Sequence, residues 1–493
     1  MAAEFKSSLA AASVPLTHSW EHTVGSGRAL LAMRADWRAQ LMRAHKELGF
    51  RHVRFHGLLD DDMGTLICQN RKSLYSFFNT DQINDYLLSI GMKPFVELSF
   101  MPAMLASGDS TVFQYRANIT PPRNYRQWGK LIDRLVRHWI ARYGIDEIGK
   151  WYFEVWNEPN LKAFWTGGKK GYYELYHTTV ETIKNIDSTL RVGGPSSAQN
   201  AWIPEFLDYC AKHKLPADFV STHYYPTDAF GKIGADTLTQ LEHAPRDIMK
   251  EQARIANAQA HGLPLYYTEW NVSSNPRDPL HDQSFAAAFA ANIALSVDPF
   301  VAGYSFWTFT DIFDENYFPS VPFHGGFGLL NLHGIPKPIY RVFQLLHGLG
   351  DKLYQVEGSH DTVTLWVSRG EEVVTLFLTN YAMPRHEICT VSVHVQLAGV
   401  PRPLSAHVIR IDEDHVNPER VWREMGKPEY LNHHDVETLQ AASALNPEPY
   451  PLRILGNHIE FDITMPPQSI AAVKIECAPG ATPRAESDAA ESG

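Results

Sequence analysis

Between residues 22 and 349, short apolar runs alternate with longer segments whose apolar residues recur at helical spacing. The runs are EHTVG (21–25), RHVRFH (51–56), KPFVELSF (93–100), GKWYFEVW (149–156), LRVGG (190–194), DFVSTHYY (218–225), PLYYTEW (264–270) and AGYSFWTF (302–309). Trp37, Leu41, Ala44 and Leu48 fall on one face of a helix that Gly49 can end. Trp128, Leu131, Ile132, Leu135 and Trp139 make a second such stripe, and Tyr172, Leu175, Tyr176, Val180 and Ile183 a third. A last helix is expected near 337–348. Eight strand-then-helix units predict an α/β fold, a parallel sheet closed into a (β/α)8 TIM barrel. An open doubly wound sheet is the alternative, but no GxGxxG follows the first run.

After about residue 350 the period changes to two. DTVTLWVS (361–368), EVVTLFLTN (372–380), CTVSVHVQL (389–397), SAHVIRI (405–411), HIEFDI (458–463) and IAAVKI (470–475) read as an antiparallel β-sandwich, with at most a turn near 435–445. The domains expected are a catalytic barrel over 1–349, a sandwich over 350–477 and a disordered tail over 478–493. Residues 1–17 form an extension that can pack on the sandwich.

Composition removes several classes of partner. Lys and Arg number 44 against 55 Asp and Glu, a net charge of −11, and no basic run stands out, so nucleic acid and anionic membranes are excluded as partners. No apolar stretch reaches the roughly 18 residues that span a bilayer. The start, MAAEFKSSLAAASVPL, carries an early Glu and serines that interrupt its apolar part. That is unlike a secretory signal, so a cytoplasmic protein is expected, with a periplasmic one as the alternative. Cys68, Cys210, Cys389 and Cys477 are widely spaced and read as free thiols. There is no HExxH and no Cys/His cluster, so no metal site is expected.

In a barrel of this kind the working residues sit at the C-terminal ends of the strands. That position selects Glu158 in EVWNEPN (154–160), just past strand four, and Glu269 in YYTEWN (266–271), at the end of strand seven. Taken singly, each would be a solvated strand-end residue. Taken together, they face each other across the barrel mouth amid tryptophans and tyrosines. Two carboxyls so placed suit glycoside hydrolysis, where one donates a proton and the other attacks or activates water. Pro159 cannot join a ladder and is expected to end strand four so that Glu158 projects into the mouth. Glu154 shares the parity of Glu158 but lies about 13 Å deeper along a strand, where an Arg or hydroxyl partner is expected.

These residues also carry a resemblance. WYFEVWNEPN (151–160) resembles the signature of glycoside hydrolase family 39, which includes β-xylosidases and α-L-iduronidases. VGSGRA (24–29), VRFHGLLDDD (53–62), STHYYP (221–226), YYTEWN (266–271) and YSFWTFTDIFDE (304–315) resemble other segments of that family. The resemblance implies a retaining mechanism with Glu158 as general acid/base and Glu269 as nucleophile, and it implies no cofactor. It implies that Arg54 keeps the nucleophile ionised and that Tyr225 contacts it. Asn157, His56, His223, Trp307 and Glu315, with Asp314 a lesser candidate, are implied to meet the sugar. For His56 and His223 a satisfied core histidine is the competing reading, and for Asp314 and Glu315 a solvated loop. The long segment 308–335 is expected to wall one side of a pocket and favour chain ends.

The function expected from all this is release of xylose from the ends of xylo-oligosaccharides. The alternatives are an iduronidase, arabinosidase or β-glucosidase with the same mechanism, or a sugar-binding barrel without catalysis. The pattern sets no oligomeric state.

Overall fold

The computed structural model describes residues 2–70, 72–227 and 236–479. From residue 480 onward, the tail expected to be disordered lies outside the described residues. Eight parallel strands close into a barrel: β1 (Thr23–Arg28), β2 (His52–His56), β3 (Lys93–Leu98), β4 (Tyr152–Val155), β5 (Arg191–Ala198), β6 (Phe219–His223), β7 (Leu265–Trp270) and β8 (Gly303–Phe306). Each overlaps one of the eight predicted runs, with β1 and β5 continuing past the ends of theirs at residues 25 and 194. Phe306 opposite Val24 closes the ring. The strands are near-continuous apolar runs because both faces are covered, one by helices and one by the barrel interior. The three predicted helical stripes are buried throughout, and Gly49 ends the first helix in a left-handed conformation (φ 75).

Side-chain alternation layers the barrel interior. Its floor is aromatic: Phe95, Tyr152, Phe219 and Tyr266 pack as one cluster, beside the stacked rings of His22 and His52. Two residues on along each strand come Arg54, Glu97, Glu154, Ser221 and Thr268, all buried. A barrel interior is ordinarily apolar at this level, and here it is ionic. Two further on are His56, at the end of β2, and His223, at the end of β6. The pleat thus lifts a charged layer to just beneath the mouth.

The second unit is a two-sheet sandwich. One sheet runs 356–357, 2–8, 391–398, 458–465, 453–455; the other runs 13–15, 352–354, 363–369, 373–380, 469–477, 403–411, 448–449. The N-terminal strands 2–8 and 13–15 therefore belong to these sheets. The sandwich is antiparallel except at one pair, where 2–8 runs parallel to 391–398. A hairpin would force antiparallel pairing, but the whole barrel lies between these two strands, so either direction is open to them.

Helix Ser284–Val297 (SFAAAFAANIALSV) is apolar all round and buried along nearly its whole length, as a helix covered on every side must be. Phe285 and Phe289 pack on Tyr381 of the sandwich, and Asn292 donates to Thr364 Oγ1 at 3.3 Å. Where a turn was expected near 435–445, there are two helices, Pro418–Glu424 and His433–Ala442. Asn432 and Asp435 form a capping box that starts the second. Trp422 and Leu439 from these helices bury Phe323 and Ile335 from the long segment after β8. Among the described residues no helix is long and apolar enough to cross a membrane.

Candidate active site

Strand β4 stops at Val155, four residues before Pro159. The backbone then turns through two left-handed residues, Trp156 (φ 72) and Glu158 (φ 43). For a bulky, non-glycine residue this is strained, and such strain gathers at functional sites. The turn is held by Glu158 N–H donating to Ser196 O at 2.8 Å and by Trp156 Nε1 donating to Phe164 O at 2.9 Å. It is this turn, rather than the proline, that swings Glu158 over the barrel mouth. Glu154 stays below, accepting from Arg54 Nε at 2.6 Å and from Thr268 Oγ1 at 2.8 Å.

Arg54 is wholly buried and holds three carboxylates at once. Nε meets Glu154 at 2.6 Å, Nη2 meets Glu97 at 2.7 Å and Nη1 meets Glu269 Oε1 at 2.8 Å. Burial alone would weaken its charge, but Glu154, Glu97 and Glu269 hold it above the usual arginine range. Nη2 also donates to Asn157 Oδ1 at 3.0 Å, which sets that amide at the mouth. His56 Nδ1 meets Glu97 Oε2 at 2.8 Å. Burial pulls this imidazole down, yet the charges of Glu97, then Glu315 and Glu269, raise it to about 9. Two cations thus lie against Glu269, whose other oxygen accepts from Tyr225 OH at 3.0 Å. Burial leaves the Glu269 pKa above its usual value, although Arg54 and His56 pull it down.

Glu158 lacks those ion pairs. Burial, and then the charge of Glu269, raise its pKa well above the carboxylate range. Its Oε1 lies 2.9 Å from His223 Nδ1. His223 is itself kept neutral, by burial first and by the cations Arg54 and His56 next. Its Nε2 rests on Thr268 Oγ1 at 3.1 Å. One oxygen of Glu158, one of Glu269 and a nitrogen of His223 all lie within 4.8 Å of one another. That spacing would fit a metal ion, but Arg54 and His56 already pair with Glu269 and would repel one.

Above the pair opens a cavity of about 390 Å³. His56, Asn157, Glu158, Tyr225, Glu269, Trp307 and Glu315 all line it. His223 does not: it sits under Glu158, fully buried. Trp307 lies edge to face with Phe313 and 4.7 Å from the His56 ring. Gly25 makes room for it, since a Cβ there would come within 2.5 Å of Trp307 Cε3. Glu315 Oε1 is buried, with no hydrogen-bond partner among the described residues and with His56 Nε2 3.6 Å away. Burial raises the Glu315 pKa to about 8 against the pull of His56. Asp314 faces away, paired with Arg28 at 3.0 Å, and is outside the lining.

Several contributors were not read from the sequence. Glu97 was legible in principle, as a lone acid at an inward position of an apolar run. Phe113, Phe164, Asp236, Thr237, Gln240, Ser274 and Asn275 also line the cavity. They come from loops and from the six-residue helix Thr237–Glu242, where no periodicity marks them. Another is Lys337, fully buried between Asp282 at 2.7 Å and Asp311 at 2.8 Å, and donating to Gly326 O at 2.8 Å. Asp282 and Asp311 accept in turn from the N–H groups of Gly325 and Gly328. Lys337 thereby clamps the loop that carries Phe327 to the cavity. Lys337→Met strands two buried carboxylates and is expected to lose about 3–5 kcal/mol of stability. Urea unfolding of the two proteins measures it, and an unchanged midpoint would deny the clamp.

A barrel whose mouth holds one carboxyl raised well above its usual pKa and, a few ångströms away, another drawn down by two cations, beside an aromatic platform, has the equipment of a glycosidase. Comparison with known proteins agrees. The model for glycosyl hydrolases family 39 matches residues 5–458, and the chain belongs to that family. The chain is 47% identical over 463 residues to a β-xylosidase of Caldicellulosiruptor saccharolyticus, covering 93% of this chain and 95% of that one. It is 40% identical to a β-xylosidase of Geobacillus stearothermophilus, over 86% of each. Its fold is similar to the crystal structure of a monomeric β-xylosidase from Caulobacter crescentus, with a TM-score of 0.86, 33% identity and coverage of 97% and 100%.

Proposed function

We propose that the protein is a retaining exo-β-1,4-xylosidase that releases xylose from the non-reducing ends of xylo-oligosaccharides. Glu269 attacks the anomeric carbon while Glu158 gives its proton to the departing oxygen. Glu158 then takes a proton from water, whose oxygen displaces Glu269 from the sugar. The observation that carries this reading is the approach of the two carboxyls, one oxygen of Glu158 lying within 4.8 Å of one oxygen of Glu269. Retaining pairs stand about 5–5.5 Å apart, whereas inverting ones leave about 6.5–9.5 Å for a water.

The remaining side chains take matching parts. Arg54 and Tyr225 keep Glu269 charged and aimed. Asn157 is presented to the 2-hydroxyl, Trp307 to the sugar face, and His56 and Glu315 to the hydroxyls farther from the bond. His223 acts on Glu158 rather than on sugar, because it lies outside the cavity lining. The segment after β8 contributes Glu315, Asn316 and Phe327 to one side, which favours terminal sugars.

A neutral sugar fits the charge of the site. The described lining includes Glu158, Asp236, Glu269 and Glu315 but no Lys or Arg, and its cationic imidazole, His56, is already engaged by Glu97 and Glu269, so the carboxylate of a uronic acid would meet no free cation there. The β-xylosidases that resemble the chain support xylose among neutral sugars.

The test is a set of aryl glycosides, with the first-formed anomer followed by NMR. The β-D-xyloside is expected to exceed the β-D-glucoside, α-L-arabinoside and α-L-iduronide in kcat/KM by about tenfold or more, and β-xylose should appear first. Preference for another sugar overturns xylose, and α-xylose appearing first overturns retention. Binding without turnover would favour a sugar-binding barrel.

A further inference from the structure

Part of the cavity wall is built from Asp236, Thr237 and Gln240, at the start of helix Thr237–Glu242. Six residues are too few to hold a helix in water without outside contacts. Asp236 caps its N-terminus by accepting from Thr239 N–H at 2.8 Å. Its C-terminal end is gripped from the sandwich. Arg385 Nη1 pairs with Glu242 Oε2 at 2.8 Å and reaches Thr239 Oγ1 at 3.4 Å. His386 Nε2 donates to the Glu242 carbonyl at 2.7 Å.

Just beyond the helix, Arg246 ties the chain to the same part of the sandwich. Its Nε donates to Tyr381 O at 3.0 Å, and its Nη2 to Thr362 O at 3.1 Å and Thr364 Oγ1 at 2.9 Å. Residues 381–386 link strand 373–380 of one sheet to strand 391–398 of the other. One sandwich connection therefore holds the segment that walls the cavity.

We infer that the sandwich takes part in substrate selection: Arg385 and His386 are positioning residues that set helix 237–242 in place, so that Thr237 and Gln240 meet the hydroxyls of the leaving-group sugar. The sugar named here rests on the xylosidase reading. The terminal sugar is met by groups at the strand ends. Helix 237–242 lies past the end of β6 in the chain and adds to the cavity lining groups that no strand end supplies, so the rest of the chain being cut is assigned to its side. Neither Arg385 nor His386 lines the cavity. The side chains of Arg385 and Glu242 are 47% and 39% exposed, so their ion pair adds little to global stability. Its loss should leave the fold standing and be felt locally.

The experiment compares the wild type with the double variant Arg385→Ala/His386→Ala. On xylobiose and xylotriose the KM of the variant is expected to rise about tenfold, the equivalent of one or two lost hydrogen bonds. On the aryl xyloside, whose leaving group has no sugar hydroxyls, kcat and KM should hardly change, and the thermal midpoint should stay close to wild type. Arg385→Lys with His386 intact should recover most of the affinity. An equal loss on both kinds of substrate, or no loss on either, overturns the inference. If the wild type cleaves neither, the xylosidase reading fails and hydrogen exchange reads the brace instead. Faster exchange of amides 237–243 in the double variant would support it, and unchanged exchange would overturn it.

Discussion

Glu269→Gly is expected to lose about four orders of magnitude or more in kcat/KM, at least 5 kcal/mol of transition-state stabilisation. Its fold should survive, because Arg54 keeps Glu97 and Glu154 as partners. Without the carboxylate nothing attacks the anomeric carbon, however well the sugar is held. The variant leaves a space lined by Arg54, His56 and Tyr225, which suits a small anion. Azide placed there should form a bond to the anomeric carbon as the aryl oxide leaves, giving the α-glycosyl azide. Glu158→Gly should give the opposite anomer with azide, because there azide intercepts the glycosyl-enzyme from the other face. The products are distinguished by NMR. A Glu269→Gly protein within tenfold of wild type would end the assignment, and a β-azide from it would reverse the two roles.

The second large effect is on stability. Arg54→Leu removes the one cation that Glu97, Glu154 and Glu269 share, and leaving buried charges unpaired costs about 3–5 kcal/mol. Glu97 shows the sign of the pH dependence. Despite its burial, Arg54 and His56 hold its pKa below the usual value, so in the wild type it stabilises the fold at neutral pH. Without Arg54 the burial dominates and the pKa rises above that of the unfolded chain. The deficit of the variant should then be full at neutral pH and shrink as pH falls through the carboxylate range. Adding Glu154→Gln should recover part of it. Denaturant midpoints at several pH values give the answer, and a pH-independent deficit would mean that Arg54 matters by packing alone.

Much of this site could be read in the chain before any coordinates. Helical and strand periods alternate cleanly from 22 to 349 because each barrel strand is covered on both faces and each helix on one. The rule that barrel chemistry sits at strand ends then picked out Glu158 and Glu269 from 55 acidic residues. Parity also placed Glu154 inward and deep. What parity leaves open is depth among neighbours. His223 has the inward parity of a sugar contact and shares the layer of His56, yet Glu158 folds over it and keeps it out of the cavity. Thr237 and Gln240 sit in a helix of six residues, too short to show a period. Helices 418–424 and 433–442 lack the long apolar stripe that marked the barrel helices, because they bury only Trp422, Leu439 and a few neighbours. The period of two in the sandwich likewise marks strands without naming their partners, so the pairing of 2–8 with 391–398 was not legible.

That pairing bears on how the protein is made. Strand 2–8 is synthesised before the barrel, and its neighbour 391–398 only after it. Through all that time its ladder groups and the apolar faces of Ala3 and Phe5 have no sheet to join. Closing a loop that contains the entire barrel is slow, since long-range pairing sets the pace of folding. The nascent chain therefore folds from the middle outward, and the clasp between its two ends closes last. A ribosome that stopped at the end of the barrel, near residue 349, would release a barrel with a bare strand edge and with helix 284–297 lacking its cover from Thr364 and Tyr381, a species prone to aggregate.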